Sequence, residues 1–138
     1  MFDEQQLPAE PDAVAPDGSD VRLLLTLSRG GLAHFQLAPG QTSVAVHHRS
    51  VEEIWYFLSG RGVMWRRDDE RDDEIPVGAG VAIAIPTGTH FQFRADGATG
   101  PLTAIGVTTP PWPGDGEAVR SEGRWTATVS PGPGLAEK

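Results

Sequence analysis

Cysteine is absent from the 138 residues. That excludes disulfides, thiolate nucleophiles and thiolate-bound zinc, and leaves nitrogen and oxygen as the donors for any metal. No apolar run approaches the roughly 20 residues needed to span a bilayer. The start lacks the basic residues and apolar stretch of a secretory signal, so the expectation is a soluble, cytoplasmic protein without a membrane partner. Positive charge is also short: 11 Lys and Arg against 19 Asp and Glu give a net charge of -8. That balance argues against a surface that tracks nucleic-acid phosphates, so no nucleic-acid partner is expected. Residues 1–20 carry Asp3, Glu4, Glu10, Asp12, Asp17 and Asp20 without one Lys or Arg. With Pro8, Pro11 and Pro16 alongside, they are expected to form a disordered acidic segment.

What is present suits one domain. The length is typical of a single core, and 38% hydrophobic with 22% charged residues is a globular composition. Val21–Leu27, Leu32–Leu37, Thr42–His48 and Ile54–Leu58 read as short strands, separated by Ser28-Arg29-Gly30-Gly31, Pro39-Gly40 and Ser59-Gly60. Arg61–Arg67 and Glu74–Val77 flank the charged run 68–73, an exposed hairpin tip. Val81–Ile85, a strand from Thr89 or His90, and Leu102–Thr108 complete the regular part before the proline-rich 110–114. No segment has a convincing helical period. Close-spaced strands with turns between them indicate an all-β sandwich or barrel. The folded domain is expected over 21–113, followed by a C-terminal extension and loose tail over 114–138.

Alternation along Thr42–His48 puts Val44, Val46 and His48 on one face and Ala45 and His47 on the other. The more apolar face should be internal, which sends His48 inward, and a slip of one residue would exchange the two histidines. On the next strand Glu53, Trp55 and Phe57 share a face, as do Glu52, Ile54, Tyr56 and Leu58, so periodicity leaves its inner face undecided. A carboxylate buried among aromatics needs a partner.

Gly40 through His48, Glu53 and Gly60 resembles the first cupin motif, G-x5-H-x-H-x3,4-E-x6-G, with the expected six residues between Glu53 and Gly60. Gly80 through Pro86, Gly88 and His90 resembles the second, G-x5-P-x-G-x2-H-x3-N, and the 19 residues between Gly60 and Gly80 suit a small cupin. The resemblance, over roughly Val21 to Pro113, implies a cupin-type double-stranded β-helix, that is, a jelly-roll barrel in a single domain. It also implies metal ligands at the motif histidines and glutamate. Here Val46 fills the first histidine slot and His48 the second, with Glu53 as the carboxylate. The alternative spacing puts His47 in the first slot and Arg49 in the second. In the second motif the turn is one residue short and Arg94 stands where asparagine is usual, with His90 preferred over Phe91 as the ligand.

The resemblance therefore implies one divalent ion (iron, manganese, zinc or nickel) held by His48, Glu53 and His90, with no organic cofactor. The leading expectation is an enzyme acting as a Lewis-acid centre on a small oxygenated organic molecule, with isomerase, cyclase, lyase or oxygenase chemistry. Trp55, Phe57, Gln92, Arg94 and His34 are the candidate substrate-binding residues, Arg94 because a guanidinium binds carboxylates or enolates. Two alternatives stand beside it: a metal-free acid-base enzyme using Glu53 with His48 or His90, and a non-catalytic small-ligand-binding cupin. The resemblance also makes a homodimer one candidate assembly, since cupins are often dimeric, while the sequence itself leaves the oligomeric state open.

Overall fold

A computed structural model describes residues 2–137. Eleven strands and no helix occur among them: β1 (Ala13–Val14), β2 (Asp20–Leu27), β3 (Gly30–Leu37), β4 (Val46–His48), β5 (Glu52–Ser59), β6 (Arg61–Arg67), β7 (Asp72–Gly78), β8 (Ala82–Ile85), β9 (His90–Ala95), β10 (Leu102–Thr109) and β11 (Ala118–Arg120). They form two antiparallel sheets, one in the order β1-β2-β3-β10-β5-β8 and the other β11-β4-β9-β6-β7. The chain is an all-β jelly roll, as the strand spacing and the motifs indicated. The third expected strand is shorter than the pattern suggests. Only Val46–His48 is paired along its length, with Thr42 meeting Arg94 through an isolated bridge.

The inner faces of the two sheets meet in one core built on Trp55, Phe57, Phe91, Phe93, Met64 and Leu37. Burying each such side chain contributes on the order of 1.5–3 kcal/mol. The ambiguity of β5 is resolved here. Glu53, Trp55 and Phe57 point inward while Ile54, Tyr56 and Leu58 stay exposed. The decisive neighbour is β10, where Gly106 sits opposite Trp55. A Cβ at Gly106 would come within 2.8 Å of the Trp55 ring and 2.9 Å of Phe35. Its absence lets those two rings stack with centroids 4.8 Å apart.

Both terminal segments behave differently from their composition. Within 1–20, expected to be disordered, β1 adds to the edge of β2. The buried Arg22 guanidinium donates to the Pro8 and Ala9 carbonyls at 2.8 and 2.9 Å. Asp17 is buried, and its carboxylate accepts from the Ser19 amide and hydroxyl at 2.9 and 2.6 Å. The physical reason is satisfaction of buried polar groups: Arg22 and the edge of β2 need partners, and this segment supplies them. Beyond 114, expected to be loose, β11 pairs with β4, and Ala127, Val129 and Leu135 pack against the core. The two ends meet where the Gly132 amide donates to the Ala15 carbonyl at 2.9 Å.

Candidate functional site

Two strands consecutive in the chain, one from each sheet, deliver the chemistry. Alternation on β4 turns Val46 and His48 inward, and alternation on β5 does the same for Glu53 and Trp55. His48 Nδ1 and Glu53 Oε2 lie 3.6 Å apart, beyond hydrogen-bonding distance. Both atoms are buried without a hydrogen-bond partner in the chain, as is Trp55 Nε1. Buried polar atoms are nearly always paired, and each one left unmet costs about 1–3 kcal/mol. Three of them face the same space.

Their electrostatics diverge. Burial pushes the Glu53 carboxyl from the ordinary 4.5 to about 8, reinforced by the charges of Asp17 and Glu117 and opposed by the nearby Trp55 indole. Burial lowers the His48 imidazole from 6.5 to about 4, with Glu117 opposing and His47 assisting. At neutral pH the pair is therefore a protonated acid beside a neutral base. Opposed shifts of this kind assign acid and base roles to neighbouring groups. Asp17 is likewise raised by burial, against the lowering effect of its bonds to Ser19.

The space they face is a cavity of about 260 Å³, near the lower end of the roughly 300–1,000 Å³ usual for small-molecule sites. Val46, Phe35, Trp55 and Ala118 line it along with His48 and Glu53, and Trp112 and Asp115 stand at its exposed edge. The Trp112 ring lies edge-on to His48 at 5.0 Å. Ala13–Asp17 and Pro133–Gly134 belong to the lining too, so both terminal segments wall the site, and β2, β3 and β10 contribute as well, Thr26 and Thr108 among them. Sequence reasoning missed Asp17, which its acidic, proline-rich surroundings disguised. It also missed Glu117, whose carboxylate holds the loop before β5: it accepts from the Ser50 amide and hydroxyl at 2.8 and 2.6 Å and from the Val51 amide at 2.9 Å. Burial would raise Glu117, but those bonds bring it below the ordinary value. No local signal marks either residue.

The other candidates separate. Phe57 is core beside Trp55 rather than cavity wall. His34 lies on the outward face of β3 opposite Arg22 and is buried there. Gln92 is fully used as a latch: its amide donates to the Ser43 and Trp125 carbonyls at 2.8 and 2.9 Å, and its oxygen accepts from the Trp125 amide at 3.0 Å. Arg94 is exposed, with its guanidinium 4.3 Å from the centre of the Trp125 ring. Alternation explains the last two, because Phe91 and Phe93 take the inward positions of β9 and turn His90, Gln92 and Arg94 to the other face.

His90 is therefore not brought to His48 and Glu53. It joins His47, 4.7 Å away between ring centres, and both Nδ1 atoms meet the Ser121 hydroxyl, at 2.6 Å from His90 and 3.0 Å from His47. The slot expected for His90 is filled by Phe91, whose ring is 5.4 Å from that of His48, and the first histidine slot by Val46, paired with Phe91 across the strands. The donors at this position are thus one imidazole and one carboxylate. Among the described residues no three His, Asp or Glu side chains converge as metal ligands. A site with fewer than three protein ligands does not fit a resident catalytic ion of the kind the motif implied.

Residues 33–108 match the family described as Cupin domain. No curated protein matches the chain. Among solved structures, the polyketide cyclase RemF from Streptomyces resistomycificus is 21% identical, with 94% of this chain and 89% of that one covered at a TM-score of 0.64. The predicted oxalate decarboxylase from Thermotoga maritima is 18% identical, with 77% and 99% covered at a TM-score of 0.60. A variant of the Streptomyces protein PAC13, solved with uridine, is 12% identical, with 87% and 92% covered at a TM-score of 0.66. At these identities the likeness is one of fold.

Proposed function

The chain belongs to the cupin family, and from that premise we propose that it is a small-molecule enzyme of the acid-base kind, transferring protons on a carbonyl compound bound in the barrel cavity. The observation that carries this reading is the pair of buried, unpartnered atoms, His48 Nδ1 and Glu53 Oε2, brought to 3.6 Å from the two sheets at the cavity. In the proposed step the protonated Glu53 carboxyl donates its proton to the carbonyl oxygen while neutral His48 takes one from the adjacent carbon. The C–H electron pair becomes the new C=C bond and the carbonyl π pair takes the Glu53 proton, giving an enol and an imidazolium beside a carboxylate. In either outcome the enol O–H proton goes back to the Glu53 carboxylate as the carbonyl re-forms. Delivery of the imidazolium proton to a different carbon completes an isomerisation, and attack of the enol carbon on a second carbonyl, whose oxygen takes the imidazolium proton, completes a cyclisation. The polyketide cyclase among the structural relatives supports a reaction of this class on this fold.

Hydrogen–deuterium exchange next to the carbonyl of a neutral bicyclic ketone such as tetralone, followed by NMR in D2O, tests the step without knowing the natural substrate. Glu53→Gln keeps the size and hydrogen-bonding of the side chain but cannot deliver the proton, and exchange should fall roughly 100- to 10,000-fold, the usual contribution of a general acid. Exhaustive chelation should leave the wild-type rate unchanged. Full exchange in Glu53→Gln, or a rate abolished by chelation and restored by a metal, would overturn the proposal. Ketones that bind and return without exchange would leave ligand carriage as the function.

A further inference from the structure

None of the described residues lining the cavity is Lys or Arg, whereas Asp17, Glu53 and Asp115 are all acidic. Arg94, the guanidinium that the sequence offered for a substrate carboxylate, lies on the far face of β9 over Trp125. Asp115 is an exposed residue of the cavity lining. The remaining walls are mostly apolar or aromatic, with the stacked Phe35 and Trp55, Val46 and Ala118, and Trp112 edge-on to His48, and they add only the neutral hydroxyls of Thr26 and Thr108.

On the acid-base reading above, we infer that the cavity selects uncharged cyclic or aromatic molecules carrying a carbonyl or hydroxyl oxygen and refuses carboxylates and phosphates. An anion entering this space leaves water for a wall with no positive partner and carboxyl groups on several sides, and desolvating an unpaired charge is strongly unfavourable. A cation loses its hydration among mostly apolar groups. A neutral ring keeps the favourable part, burial against aromatic walls. Its oxygen also supplies what the chain withholds, a hydrogen-bonding partner for His48 Nδ1, Glu53 Oε2 or Trp55 Nε1. A substrate that is a dicarboxylate, such as oxalate, is the opposite of what this wall accepts.

Calorimetric titration with three probes of one shape, naphthol, naphthoate and naphthylmethylammonium, tests the inference on the full chain. Naphthol should bind at least about tenfold more tightly than either ion, the factor equivalent to roughly 1.4 kcal/mol. Asp115→Lys, at an exposed position of the lining, should raise the affinity for naphthoate relative to naphthol a few-fold, the size of a solvent-screened charge effect. Naphthoate or the ammonium binding as tightly as naphthol would overturn the selectivity while leaving the proton-transfer reading to stand on the Glu53→Gln exchange rate. Failure of all three probes to bind would overturn the inference too, and the proton-transfer reading would still be decided by the exchange rate.

Discussion

The strands β4 and β9 carry histidines to opposite sides of one sheet, and the two sides differ in kind. Outside, His47 and His90 share the Ser121 hydroxyl. That group has one hydrogen and two lone pairs, so it donates to at most one imidazole, and at least one of the two rings carries a proton at Nδ1 and donates it to the hydroxyl. Inside, His48 and Glu53 approach to 3.6 Å and neither Nδ1 nor Oε2 finds a partner. One residue of sequence separates His47 from His48. The outer pair is satisfied and serves the fold, whereas the inner pair holds unmet polar atoms at a cavity, where a bound molecule relieves the cost.

Substitution should separate the two sides most sharply. His48→Ala should slow ketone exchange by roughly 100-fold or more, as expected on losing a general base. His90→Ala, on the outer face, should stay within about twofold of the wild-type rate, the result expected when a surface hydrogen bond is lost far from the chemistry. Equal losses in both variants, measured in the same NMR assay, would erase the distinction and return His90 to the site.

The next largest contrast lies in the pH dependence of stability. Glu53 is raised in the folded state, so the stability linked to it is fully present below 4.5 and is lost as pH rises towards about 8. The total is on the order of 5 kcal/mol. His48 is lowered, so its linked stability is present above 6.5 and is lost as pH falls towards about 4. The two slopes oppose each other between 4.5 and 6.5, and above 6.5 the Glu53 slope remains. Thermal melts should therefore show the wild-type Tm falling from pH 6.5 to 8 and Glu53→Gln flattening that fall. A wild-type Tm rising over that interval would contradict a buried, protonated Glu53.

Smaller again is the packing behind the inner pair. Gly106→Ala pushes a methyl against Trp55 and Phe35 and should destabilise the fold by about 1–3 kcal/mol in urea, the usual range for overpacking. Smallest is the outer cluster, where Ser121→Ala should cost about 1–2 kcal/mol by removing the hydroxyl that serves both imidazoles. Ketone exchange in that variant should match wild type. A large loss of exchange would tie the outer cluster to the cavity after all.

Much of the scaffold was legible because turns have local chemistry. Gly60 adopts a left-handed φ of 76° between β5 and β6, a conformation that favours glycine, and the motif spacing records such positions. The inward turn of His48 was favoured by its apolar neighbours Val44 and Val46, subject to register. The face of β5 did not follow, because both of its faces carry large apolar side chains and only the approach of Gly106 on β10 distinguishes them. The turn before β9 is one residue short of the motif, and in a strand one residue reverses every side chain, so Phe91 took the inward place expected for His90.

By itself the sequence determined the all-β class, the cupin resemblance and the exclusion of thiol chemistry, each a property of spacing or residue type along the chain, and it left the choice between His47 and His48 to strand register. The tertiary structure alone decided that Glu53 faces His48, that His90 joins His47 on the other side, and that Asp17 and both chain ends wall the cavity. The reason is physical: burial and strand register depend on segments far apart in the chain, and these set which polar atoms find partners and which are left facing a ligand.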